Sequence, residues 1–262
     1  MKKVTSRLVC TGIVAALTTA TLHAQDTARE QYVSPWRTPW TYDGAAHWSE
    51  LDPQYAVCNT GKDQSPIDIR SQEDANLPPL QFTWRNAPLR YVINNHHTIR
   101  VNYRPGNGDT LIVGDKRYEL TQFHFHHPSE EQIDGHAYPM EAHLMYQAAD
   151  GSVAGVAVFI LPGRANPLVQ QVWNHMPRNE GQHAADGVDI SPAALLPANR
   201  IHSYSMYLGS VTAPPCTEGV KWFVLKDTVK LSRQQIEAFA RLYPNDARPL
   251  QPLNGRVVQR SQ

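Results

Sequence analysis

The chain has 262 residues, 24 Lys and Arg against 24 Asp and Glu, and 41% hydrophobic residues. Balanced charge with that apolar fraction excludes a disordered acidic or basic protein. Without a Lys/Arg block, nothing supplies the phosphate-neutralising stripe on which nucleic-acid binding rests. The length fits one large β-type domain or two small ones.

Residues 1–24 combine a basic start (Lys2, Lys3, Arg7), an apolar stretch from Leu8 to Leu22 diluted by threonines, and Ala24 before Gln25. This predicts a secretory signal peptide over 1–24. Leu22 is large for the −3 position, so cleavage after Ala20 is the alternative. The run is shorter and more Thr-rich than the about 20 apolar residues a membrane span needs, and no span is expected in the mature chain. Cys10 lacks the small residues that precede a lipidation site. Removing 1–24 takes away three cations, leaving 21 basic against 24 acidic residues, a mildly acidic chain. Cys58 and Cys216 remain, and in an oxidising compartment two cysteines read as one disulfide. A catalytic thiol is the rival reading, although neither cysteine sits in a nucleophile signature. The expected location is periplasmic or secreted.

Residues 25–39 are polar, contain Pro35 and Pro39, and read as an extended arm, with Trp36 and Trp40 the residues suited to docking. Residues 40–262 read as one mostly β domain. Leu89, Tyr91 and Ile93 alternate with polar neighbours, as do Ile99, Val101 and Tyr103, and Val153 to Ile160 is a near-continuous buried-strand pattern. Gly114-Asp115 offers a tight hairpin turn. Twenty prolines interrupt long helices. The clearest helix runs from Ser232 to Tyr243: Ser232 and Gln235 match a capping box, Ile236, Phe239 and Tyr243 share a face, and Pro244 stops it.

The chemistry lies between Tyr118 and Met145. On a strand, alternate side chains share a face, so Phe123 and Phe125 take one side while Leu120, Gln122, His124 and His126 take the other. A second strand places Glu141, His143 and Met145 together. Histidines two apart on one strand are about 6.5–7 Å apart at the backbone, close enough to converge on one ion, and His143 supplies a third nitrogen. Three neutral histidines without a fourth protein ligand describe a catalytic zinc site with an open position. Gln122 and Glu141 are placed to accept the ring N–H groups and orient the ligands. A plain histidine pair on a strand is the alternative reading of His-Phe-His alone.

The runs Gln122-Phe123-His124-Phe125-His126, Pro128-Ser129-Glu130, Glu141-Ala142-His143-Leu144, Gly61 to Ile69 and Ser210 to Pro215 closely resemble the α-class carbonic anhydrases, the exported bacterial members in particular. Matching segments extend from about Trp40 to Arg256. The resemblance implies a single domain with a central, largely antiparallel twisted sheet of about ten strands and few short peripheral helices. It implies a carbonate dehydratase, a lyase that hydrates carbon dioxide reversibly to bicarbonate and a proton through zinc-bound hydroxide, with His124, His126 and His143 holding Zn2+. It assigns Thr212 to accept from that hydroxide and donate to Glu130; Glu131 is the neighbour to be distinguished from Glu130. It matches Cys58 and Cys216 to the disulfide of bacterial members and suggests a homodimer.

The resemblance also places His97 at the proton-relay position, with His96 as competitor; parity puts His97 on the face of Asn95 and Ile99. Arg100 stands where the family often has Asn, and within the cleft it is expected to depress the relay's pKa. Met145, Val211, Val220 and Trp222 match the apolar substrate wall, Gly155 stands where a valine is usual, and Ala213 replaces a frequent threonine near bicarbonate. Carbon dioxide, water and bicarbonate are thus the expected small-molecule partners, with ester hydrolysis as a side activity. A zinc carrier needs the three histidines alone, and a catalytically dead scaffold would lack one of them.

Overall fold

The computed structural model of the chain describes residues 38–198 and 203–261, so the predicted signal peptide and all but the last two residues of the predicted arm lie outside the described residues. Ten strands follow one another across a twelve-stranded sheet: Gly181–Ala184, Tyr91–Asn94, Ile99–Asn102, Lys116–His126, Met140–Ala148, Val153–Pro162, Glu218–Leu231, Tyr204–Ser210, Gln259–Ser261 and Glu73–Ala75. Leu80–Thr83 and Thr110–Val113 extend it beside Lys116–His126. Along the row of ten, pairing is antiparallel except between Val153–Pro162 and Glu218–Leu231 and between Gln259–Ser261 and Glu73–Ala75. The expected mostly β, largely antiparallel architecture is therefore present.

Hydrophobic periodicity explains the layers. Phe123, Phe125, Leu144, Val156 and Phe223 point into a large core on one side of the sheet. Met145, Ala157, Phe159, Trp222 and Val224 form a smaller apolar cluster on the other. The central strand from Val153 is covered on both sides, which is why its sequence is a continuous apolar run. Gly114 takes φ 59° in the two-residue turn joining Val113 to Lys116, as its sequence suggested.

Two local features differ from the sequence expectation. Leu120 packs in the large core with Phe123 and Phe125, because the register against Met140–Ala148 jumps from Met145↔Gln122 to Tyr146↔Leu120. Thr121 is the extra residue, and its hydroxyl donates to the Met145 carbonyl at 2.9 Å; such a bulge reverses parity along its strand. The C-terminal helix spans Arg233–Ala240, shorter than the predicted Ser232 to Tyr243, with the Ser232–Gln235 capping box formed. A second helix, Pro167–Asn174, starts where the Asn166 side chain accepts from the backbone N–H of Leu168 and Val169. Both helices lean on the large core through Trp173 and Phe239.

Candidate metal centre

Adjacent strands bring the three histidines together. His143 lies directly across from His124 in the ladder, and Glu141 across from His126. The ring centroids of His124, His126 and His143 are 4.7–5.1 Å apart, and one ligand atom from each falls within 4.8 Å of the others. Each ring is held by its remaining nitrogen. Gln122 Oε1 is 2.8 Å from His124 Nδ1, and the Asp246 carbonyl is 2.8 Å from His126 Nδ1. His143 Nε2 lies 3.4 Å from Glu131 Oε2 and 3.6 Å from Glu141 Oε2. His124 Nε2, His126 Nε2 and His143 Nδ1 therefore remain for an ion, and the last two are buried atoms without a hydrogen-bond partner among the described residues. A buried unpaired ring nitrogen is costly, and a divalent cation satisfies all three together. The residues fit zinc.

Electrostatics divides the rings. Burial, then the neighbouring rings, hold His124 and His126 well below the ordinary histidine range. Burial opposes charge on His143 as well, but hydrogen bonds to Glu131 and Glu141 outweigh it and push the ring up to about 10. Glu131, Glu141 and His143 also cluster, yet these carboxylates serve the scaffold: Glu141 Oε2 accepts from the N–H of Glu130 and Glu131, and Glu131 Oε1 accepts from Tyr207 at 2.7 Å. Burial raises Glu130 to about 7, opposed by His143 and by a hydrogen bond from Thr212; its Oε1 accepts from the Arg248 N–H at 2.8 Å.

The three rings open onto a cavity of about 100 Å³ that Met145, Val211, Thr212, Ala213 and Trp222 also line. Gly155 and Val220 do not line it. Gly155 is the cross-strand partner of Met145 on one side and of Trp222 on the other, and a Cβ there would lie 2.6 Å from the Trp222 ring. The missing side chain is thus replaced by the indole, beside the longer Met145. Val220 belongs to the same apolar cluster behind the wall.

A family model described as eukaryotic-type carbonic anhydrase matches residues 43–262. The chain belongs to the α-carbonic anhydrase family. It is 41% identical over 223 residues to a carbonic anhydrase of Pectobacterium carotovorum, covering 84% of this chain and 89% of that one. A carbonic anhydrase of Neisseria gonorrhoeae is 39% identical over 225 residues, covering 84% and 87%. The structure of the α-carbonic anhydrase of Thermovibrio ammonificans with sulfanilamide superposes with a TM-score of 0.79 at 41% identity, covering 85% of this chain and 99% of that one. The chain is accordingly an enzyme of the carbonic anhydrase type, whose family reaction is carbon dioxide hydration.

Against that family frame, the relay region departs from its sequence reading. Residues 95–98 are a turn, not a strand: Asn95 Oδ1 accepts from the N–H of His97 and Thr98, Asn94 Oδ1 accepts from that of His96, and His96 takes φ 71°. Parity does not apply there. His97 reaches the carbonic anhydrase cavity through the turn, buried with its ring stacked on Trp40 at 3.5 Å. Burial and then His96 push His97 down to about 3. Arg100, expected to depress the relay, lies across from His124 in the ladder and acts on that ring instead. Sequence reasoning set Glu131 aside, although it orients His143. It also missed Asp246, whose contribution to His126 is a main-chain carbonyl that any residue type supplies. Cys58 and Cys216 form the expected disulfide.

Proposed function

We propose that this carbonic anhydrase hydrates carbon dioxide at a zinc ion held by His124 Nε2, His126 Nε2 and His143 Nδ1. The observation that supports the reading is the convergence of three oriented nitrogens, two of them buried and without a hydrogen-bond partner among the described residues, on a small cavity with an apolar wall. Zinc bound there supplies Lewis acidity, lowering a water's pKa to about 7, a magnitude established for carbonic anhydrase itself.

The residues around the ion do the rest. Thr212 donates toward the Glu130 carboxylate, so its oxygen can only accept from a nucleophile in the cavity, which turns that nucleophile's lone pair toward the substrate. Met145, Val211 and Trp222 present an unpolarised wall to an apolar molecule, and about 100 Å³ admits carbon dioxide more readily than bulky esters. Ester hydrolysis is a side activity on this reading. A zinc carrier would have no use for the Thr212–Glu130 pair. His97, whose ring lines the cavity, moves the product proton outward. A signal peptide over 1–24 and a periplasmic or secreted location accord with the Cys58–Cys216 disulfide; among the described residues no helix is long and apolar enough to cross a membrane.

Stopped-flow hydration on metal-free and zinc-reconstituted protein tests the reading, with His143→Ala as control. Activity should appear with zinc and be lost in the variant. Hydration that ignores zinc overturns it.

A further inference from the structure

Three oxygens beside the large core have no protein partner, and none of their residues lines the metal cavity. Asp109 and Tyr146 have no solvent exposure, and Tyr103 is half-buried with its hydroxyl oxygen covered. Asp109 Oδ1 accepts from the Arg85 N–H at 2.6 Å. Asp109 Oδ2, Tyr103 Oη and Tyr146 Oη are buried without a hydrogen-bond partner among the described residues. The backbone brings the three residues together. The Leu120 N–H donates to the Asp109 carbonyl at 2.8 Å, and Leu120 is the ladder partner of Tyr146. The Tyr103 N–H donates to the neighbouring Thr121 carbonyl at 2.8 Å. Burial and then the Asp109 charge push the Tyr103 phenol up. Burial, then Asp109 and Tyr103, push Tyr146 well above the ordinary tyrosine range, so the three groups lie within electrostatic reach of one another. A buried polar atom left unpaired is costly, and three neighbouring ones call for a shared partner.

We propose that Asp109, Tyr103 and Tyr146 form a binding site for one buried water molecule, which accepts from both phenol hydroxyls and donates to Asp109 Oδ2. The donor count selects the ligand. Two O–H donors and one acceptor oxygen match the two lone pairs and one proton of a water, and three hydrogen bonds are the usual number for a buried one. A metal cation or an ammonium ion has no lone pair to offer, so it would leave both phenol protons unpaired. Water has a route in: Tyr103, Leu120 and Thr121 line a cavity of about 470 Å³ that the exposed Pro105, Gln147 and Ala149 also border. The bound water joins the segment before Thr110–Val113 to Met140–Ala148, the strand that carries His143. The site itself needs neither the metal nor the hydration reaction.

A crystal structure of the wild-type protein, at a resolution that orders water, should show one peak about 2.5–3.0 Å from all three oxygens. Absence of the peak overturns the proposal, as do direct contacts between the phenols and the carboxylate. A peak that scatters anomalously after growth in rubidium chloride is a cation and also overturns it. Stability supplies a second readout. Tyr146→Phe removes one hydroxyl and little else, and it should lower Tm by about 2–4 °C, since the hydroxyl it deletes was paired. A hydroxyl with no partner in the folded protein gives the opposite sign, so an unchanged or raised Tm overturns the water bridge. Tyr103→Phe should lower Tm less in the Tyr146→Phe background than alone, because removing either hydroxyl loosens the same water. Strictly additive shifts overturn the shared partner.

Discussion

His143 carries the metal site's proton chemistry because both Glu131 and Glu141 face its Nε2. In the metal-free protein these carboxylates keep the ring protonated, at about 10, so an incoming cation must displace the Nδ1 proton and zinc affinity weakens as pH falls. Glu131→Gln keeps the shape but removes the charge that strengthens the ligand. Zinc binding measured by chelator competition should weaken by about 10–100-fold; an unchanged Kd would assign the orienting role to Glu141 alone. His97 supplies a pH test of the fold. Its pKa is about 3 when folded, against an ordinary 6.5, so the unfolded chain takes up the proton first. The stability contributed by neutral His97 is complete above 6.5 and is lost as pH falls toward 3, with a slope of at most about 1.4 kcal/mol per pH unit. Metal-free His97→Phe should lose less stability than wild type between pH 7 and pH 4 in denaturant titrations. Parallel losses would show that His97 is not a buried neutral ring. The ligand histidines were legible in the sequence as residues, whereas the Asp246 carbonyl carries no sequence mark.

At the scale of elements, strand period 2 is enough to place Gln122, His124 and His126 on one face and Glu141, His143 and Met145 beside them. What it misses are places where hydrogen bonding interrupts the period. The Thr121 bulge depends on cross-strand register, and the 95–98 turn depends on two asparagine side chains capping backbone N–H groups. The substrate wall likewise belongs to three neighbouring strands at once. Met145, Gly155 and Trp222 are successive ladder partners, so the large residue, the absent one and the indole share one volume. Gly155→Val would put its Cβ within 2.6 Å of the Trp222 ring, which must shift toward the cavity or strain the ladder. Overpacking of this kind costs about 1–3 kcal/mol. Both Tm and kcat/KM for hydration should fall, and a variant with unchanged kcat/KM would mean that the indole does not bound the substrate space.

Across the whole molecule, distant segments meet behind the ligands through Arg248. Its backbone N–H donates to Glu130 Oε1 at 2.8 Å, its Nη1 to the Ser65 carbonyl at 2.7 Å and its Nη2 to the Cys58 carbonyl at 2.9 Å, while the guanidinium covers the Trp48 ring. On the other side of the disulfide, the Cys216 carbonyl accepts from Gln64, four residues after Thr212. The bond between Cys58 and Cys216 thus ties the loop carrying Thr212 to the frame that holds Glu130. Two lone cysteines in an exported chain suggested the pairing, but its attachment to Glu130 required the fold, since Arg248 reaches Cys58 across 190 positions. The bond spans 158 residues, and loss of such a cross-link typically costs about 2–4 kcal/mol. Reduction, or the Cys58→Ala/Cys216→Ala double variant, should lower Tm and kcat/KM together while zinc remains bound, because the three ligands sit on Lys116–His126 and Met140–Ala148, neither of which carries a bridged cysteine. Full turnover in the reduced enzyme at a temperature where it stays folded would show that Thr212 and Glu130 keep their alignment without the bridge.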